Sequence, residues 1–140
     1  MGGPSARDGG EALTDRALAA AMRVLVTGAT GFLGRPLVAA LQAAGHDAAP
    51  LMGDVTDPAT FAKAGTGSTG APVDVAYHLA AQSNVPASTK DPAGTWKANV
   101  DGTLQVLEWA RRDGVARVVV VSSSHVYGHP QRSPMDPITD

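Results

Sequence analysis

The chain has 140 residues, 44% of them hydrophobic and 17% charged, which leaves room for one domain with a real core and hardly for two. A net charge of −2 and a pI near 6.0 give no basic footprint for a nucleic-acid partner. The absence of cysteine excludes disulfides and thiolate metal sites and suits a reducing cytoplasm, the expected location, while no apolar run approaches the ~20 residues that span a bilayer, so no membrane partner is expected.

Residues 1–21 are rich in Gly, Ala and charge, and acidic residues interrupt any signal-peptide pattern. Glu11–Ala21 has few large apolar side chains to bury, and a second methionine, Met22, stands directly before the first strand-like run. Residues 1–21 are therefore expected to be a disordered extension, 22–128 a single domain, and 129–140 an irregular tail.

From Arg23 the composition changes. The run RVLVT is short and rich in β-branched residues, as expected of a strand buried on both faces of a parallel sheet. GATGFLG turns the chain, and FLGRPLVAALQAAG follows with helical periodicity, placing Leu33, Leu37, Leu41 and Ala44 on one face and Gly45 at the C-cap. HDAAPLM reads as a weak second strand, and DVTDPATFAKA opens a short helix with Asp57 as N-cap and Pro58 at the first helical position. GTGSTGAP is a loop and VDVAYHLAA a third strand. DPAGTWKANVDGTLQVLEWARRDG reads as one long helix, its apolar stripe formed by Trp96, Val100, Thr103, Leu107 and Ala110, with Arg111 and Arg112 in the last turn. ARVVVVSSS is a final buried strand that delivers hydroxyls to its C-terminal end. Strands alternating with helices predict an α/β fold with a doubly wound parallel sheet.

The turn Thr27–Gly34 lies between the first strand and the first helix, where backbone N–H groups receive a dinucleotide pyrophosphate. In this reading Gly28 permits the tight turn, Gly31 lets a diphosphate approach the backbone, and Gly34 lets the helix pack closely. The spacing is G-x-x-G-x-x-G, and no G-K-[ST] follows, so it is not a Walker loop. Three glycines could also make an ordinary βα turn, but the flanking strand and amphipathic helix favour dinucleotide binding. Asp54 fits a simple turn as well as a site. Asn99, a mediocre helix former in mid-helix, is expected to bond something specific through its side chain. Gln82, Ser83 and Asn84 form a polar cluster beyond a buried strand, where such folds bind ligands. The four histidines, His46, His78, His125 and His129, show no metal-ligand spacing and read as surface or half-buried imidazoles.

In this order, TGATGFLG, GDVTD, AYHLAAQS, NVDGTLQVLEWAR and VVVVSSSHVYG resemble the signatures of the extended short-chain dehydrogenases/reductases, the NAD-dependent epimerases, dehydratases and reductases of nucleotide sugars. The resemblance runs from Met22 to about Gly128. It implies a Rossmann-like sheet, ending here after about the fifth strand of the family, and NAD or NADP as cofactor. Gly28, Thr30, Gly31, Phe32, Leu33 and Gly34 would form the phosphate loop. Asp54 would meet the adenine, with Val55 lining its pocket. Leu79, Ala80, Ala81 and Gln82 would flank the cofactor, joined by Asn99 and Ser122. Ser123, four residues before Tyr127, would be the catalytic hydroxyl on the reacting sugar oxygen, with Ser124 as second choice; Ser122 and Ser124 would point to the other face or out of the strand. His125 stands where dehydratases carry Glu, which ranks an epimerase or 4-keto-sugar reductase, with GDP-6-deoxyhexoses as the substrates the resemblance suggests, above a GDP-mannose 4,6-dehydratase. A nucleotide-sugar substrate is implied, and a homodimer is left open for the full-length enzyme.

Two departures stand out. Only eight residues, 46–53, lie between Gly45 and Asp54, too few for the crossover that many relatives have there, and Met52 falls near the place of the acid that usually bonds the adenosine ribose. The family's Tyr-x-x-x-Lys pair is absent, since Ala81 follows Tyr77 and Gln131 follows Tyr127 at that spacing. The expectation is the N-terminal portion of a longer enzyme, inactive alone. A non-catalytic dinucleotide-binding module, or a half enzyme completed by a second polypeptide, stays open.

Overall fold

A computed structural model describes residues 21–62, 64 and 72–128, with the His125 side chain left aside. The expected extension up to residue 20, the tail from residue 129 and most of the GTGSTGAP loop lie outside the described residues. In chain order the elements are β1 (Arg23–Thr27), α1 (Gly34–Ala43), β2 (Asp47–Pro50), a 3-10 turn (Pro58–Phe61), β3 (Val75–His78), α2 (Val85–Lys90), α3 (Pro92–Trp96), a π-helical stretch (Lys97–Asp101), α4 (Gly102–Asp113), β4 (Arg117–Val120) and a second 3-10 turn (Ser124–Tyr127).

The four strands form one parallel sheet in the order β2-β1-β3-β4. All five residues of β1 are buried, as its β-branched composition requires of a central strand covered on both sides. Alternation along the strands divides the core in two. Leu25 and Ala76 face one layer, where Val106, Trp109 and Ala110 of α4 pack with Val55 and Phe61. Val24, Val26 and Val75 face the other, against Leu37, Val38 and Leu41 of α1. Helices thus cover both faces, the doubly wound arrangement read from the sequence. The Trp109 and Phe61 rings stack with centroids 5.6 Å apart.

Several local expectations hold. Gly45 ends α1 at φ 86°, and Gly114 ends α4 in the left-handed region. Asp57 caps the first 3-10 turn by accepting the Ala59 N–H at 2.9 Å, with Pro58 next in the chain. Asp57→Ala should lower stability by about 1 kcal/mol, read as a shifted urea midpoint at constant slope.

Four expectations are corrected. Of the expected stripe, Ala110 is buried and Thr103 half-buried, but Trp96, Val100 and Leu107 are exposed (64%, 42% and 43%), and the buried face of α4 is Gly102, Val106, Trp109 and Ala110. Gly102 seats this face, because a Cβ there would lie 2.9 Å from Val55 Cγ2. The long helix is also not uniform, since the π-helical stretch rephases it between Trp96 and Gly102. α1 begins at Gly34, leaving Leu33 outside it and 53% exposed. The last strand is half-exposed rather than buried, because β4 pairs only with β3 and is an edge of the described sheet.

Candidate functional site

In the order β2-β1-β3-β4, β2 and β3 lie on opposite sides of β1, so the chain reverses direction across the sheet beside β1. Open α/β sheets bind ligands at such a point, beyond the C-terminal strand ends. Here those ends are the turn after Thr27, the segment Leu51–Val55 after β2 and the segment Leu79–Gln82 after β3. They enclose a groove of about 360 Å³.

Seven of the residues expected at the cofactor line it: Gly28, Thr30, Asp54, Val55, Ala80, Ala81 and Gln82. The remainder of the phosphate loop surrounds the turn without lining the groove. Phe32 is 95% exposed, Leu33 lies beside it, and Gly34 is buried beneath, where a Cβ would collide with the Gly28 carbonyl. Gly28 has φ 64°, and a Cβ on it would lie 2.7 Å from the Ala80 nitrogen, so the turn is pressed directly against the end of β3. Leu79 turns away from the groove and packs against the α1-side core.

Asp54 is exposed and accepts the Thr56 backbone N–H at 2.8 Å. That bond, followed by one from the Thr56 side chain, holds its carboxyl below the usual carboxylate range against the opposing desolvation, and the Lys97 charge adds a lesser pull in the same direction as the bonds.

A second cavity of about 520 Å³ adjoins the first and shares Ala80, Ala81 and Gln82 with it. Ser122 and Ser123 both line it, as do Asn99 and His78. β4 ends at Val120, so Ser122 lies beyond the strand, where alternation between the two sheet faces no longer governs the serines. Ser124 begins the final 3-10 turn.

Asn99, inside the π-helical stretch, does bond something specific. Its Oδ1 accepts the Gln82 N–H at 2.7 Å and its Nδ2 donates to the Gln82 carbonyl at 3.0 Å, tying the segment after β3 to the helix. Replacing Asn99 with Ala should cost about 1 kcal/mol and speed hydrogen exchange at the Gln82 amide more than at β1 amides. Of the polar cluster, Gln82 accepts the Asn84 N–H, and Asn84 caps α2 through Ala87 N–H at 2.8 Å.

His78 is corrected from a surface or half-buried imidazole to a buried one, 3% exposed. The β1–β3 register sets Thr27 opposite His78, so both side chains emerge on the α4 face. Thr27 Oγ1 accepts the N–H groups of Leu79 (3.2 Å) and Ala80 (3.1 Å), which directs its own proton to His78 Nδ1 at 2.8 Å. His78 Nε2 then carries the ring proton and donates to Thr103 Oγ1 at 3.0 Å, and Thr103 donates to the Asn99 carbonyl at 2.6 Å. Burial pushes the His78 pKa below 6.5, which favours this neutral ring. The chain of bonds joins β1, β3 and the helix bearing Asn99 directly beneath the two cavities. Among the described residues, no helix is long and apolar enough to cross a membrane.

Residues 24–140 match the NAD dependent epimerase/dehydratase family. A UDP-glucose 4-epimerase of Mycolicibacterium smegmatis is 38% identical over 133 residues, covering 81% of this chain and 42% of that protein. The structure of RMD from Pseudomonas aeruginosa, complexed with NADPH, is 33% identical with a TM-score of 0.64, over 83% of this chain and 42% of the other. WbmG of Bordetella bronchiseptica, in complex with NAD, is 26% identical with a TM-score of 0.69, over 83% and 42%. The chain thus spans about two-fifths of the length of these relatives. With its parallel sheet, glycine turn and switch-point groove, it belongs to the NAD dependent epimerase/dehydratase family.

Proposed function

We propose that the chain is the dinucleotide-binding portion of a nucleotide-sugar epimerase or 4-keto-sugar reductase. The observation that carries this reading is the switch-point groove, where seven residues singled out from the sequence meet around one cavity. The residues fit the cofactor. At Gly31 a Cβ would meet only the Gly28 carbonyl, at 3.2 Å, so the chain's own packing asks little of a glycine there and an approaching phosphate asks more. Asp54 and Val55 stand at the groove end beyond β2, suited to an adenine edge and face. A bound nicotinamide cofactor would supply hydride transfer, and the adjoining cavity, with Ser122 and Ser123 in its wall, would receive the sugar. Ser123 would hold the reacting sugar oxygen by a hydrogen bond.

Proton transfer in this chemistry needs an acid–base pair, and no Tyr of the sequence has Lys four residues on. The chain alone should therefore bind NAD(P) without interconverting UDP-glucose and UDP-galactose. Calorimetry and product chromatography on the same preparation check both halves. Turnover by this chain would overturn the assignment of the missing pair, and failure to bind either dinucleotide would overturn the reading itself.

A further inference from the structure

The end of β2 carries no carboxylate: it runs Pro50, Leu51, Met52, with Met52 66% exposed. In dinucleotide folds an acid at this place accepts the adenosine ribose 2′-hydroxyl, whereas a nearby arginine accommodates a 2′-phosphate. A further cavity of about 330 Å³ opens here between β2 and α1, sharing Ala29, Thr30 and Met52 with the switch-point groove. Arg35 is the one charged residue among the described residues that line it. Its Nε donates to the Thr30 carbonyl at 2.9 Å, which holds the guanidinium against the glycine turn. Its terminal Nη groups have no hydrogen-bond partner among the described residues. Asp54, the carboxylate of the main groove, does not line this cavity and is engaged by the Thr56 N–H.

We infer that this cavity is a phosphate-monoester subsite and that the chain selects NADP(H) over NAD(H), with Arg35 as the specificity-determining residue. The inference rests on the dinucleotide reading of the neighbouring groove. A phosphate monoester carries close to two negative charges near neutrality, and the planar guanidinium offers it a fork of donors that stays charged at any working pH. An exposed methionine at the end of β2 adds neither repulsion nor a partner for a bare 2′-hydroxyl. The terminal Nη groups are the donors the phosphate would meet.

The test is calorimetric titration of the purified chain, wild type, Arg35→Ala and Met52→Glu, with NADP⁺, NAD⁺ and inorganic phosphate. The wild type should bind NADP⁺ about tenfold or more tightly than NAD⁺, in keeping with one charge-assisted pair, and far more tightly than phosphate alone. Arg35→Ala should bring the NADP⁺/NAD⁺ ratio towards unity. Met52→Glu should lower it too, by placing a negative charge against the 2′-phosphate. Both side chains are exposed, and an unchanged circular dichroism spectrum would show that the fold is intact. Equal affinity of the wild type for the two dinucleotides, or an undiminished preference in Arg35→Ala, overturns the inference while leaving the groove's role standing. No binding of either dinucleotide overturns both.

Discussion

Gly28→Ala should destabilise the chain by about 2–4 kcal/mol and abolish measurable dinucleotide binding. Two effects add. The φ of 64° places an L-residue in the left-handed region, at roughly 1 kcal/mol. The new Cβ would also stand 2.7 Å from the Ala80 nitrogen and 2.8 Å from the Leu79 carbonyl carbon. Both are backbone atoms at the end of a buried strand, so neither can swing aside as a long side chain would. Relief requires the turn to separate from β3, which opens the floor of the groove. Gly31→Ala supplies the contrast, because its Cβ needs only a few tenths of an ångström from the Gly28 carbonyl. It should leave the urea midpoint nearly unchanged and weaken dinucleotide binding. A Gly28→Ala protein as stable as the wild type would show that the turn does not press on β3.

His78→Ala should lose about 2–4 kcal/mol through the cavity it leaves and the hydroxyls of Thr27 and Thr103 stripped of their partner. The same residue sets a pH dependence. Burial lowers its folded-state pKa below the 6.5 of the unfolded chain, so the unfolded state binds the proton more readily. The His78 contribution is therefore complete above about pH 6.5 and is lost as pH falls from there through the folded-state value. Asp54, also lowered, acts only around and below 3.8, so the two windows separate. Urea midpoints collected from pH 7.5 down to pH 5 should decline in the wild type and flatten in His78→Ala. A flat wild-type profile would mean that the ring is not held neutral between the two threonines.

The strands and the glycine turn were legible because their codes are local. RVLVT announces a doubly buried strand through β-branched residues alone, and the glycine spacing announces the turn whichever way the helices face. The helix face was legible only at Ala110, since Trp96, Val100 and Leu107 offer as much apolar surface as Gly102, Val106 and Trp109. Gly102 against Val55 and the π-helical stretch decide between them, and neither is visible in a 3.6-residue count. α2 lies outside the elements expected from the sequence, yet Asn84 followed by Val85 and Pro86 is a cap-and-proline start that the sequence carries. His78 could not be found from spacing. Thr27 and Thr103 lie 51 and 25 residues away, and only the β1–β3 register and the packing of α4 bring them to its two nitrogens. Asn99 stands out in the sequence as a helix-disfavouring residue in mid-helix, and its two bonds to Gln82 explain its presence there.

The central claim is that a dinucleotide lies across the end of β1 between the segments that follow β2 and β3. Amide correlation spectra of the labelled chain, recorded while NADP⁺ is added, test it directly. The account predicts shifts concentrated at Gly28–Gly34, Asp54, Val55 and Leu79–Gln82, with the exposed helix face at Trp96, Leu104 and Leu107 unmoved. Saturable shifts confined to that helix face, or none at the glycine turn, would contradict it.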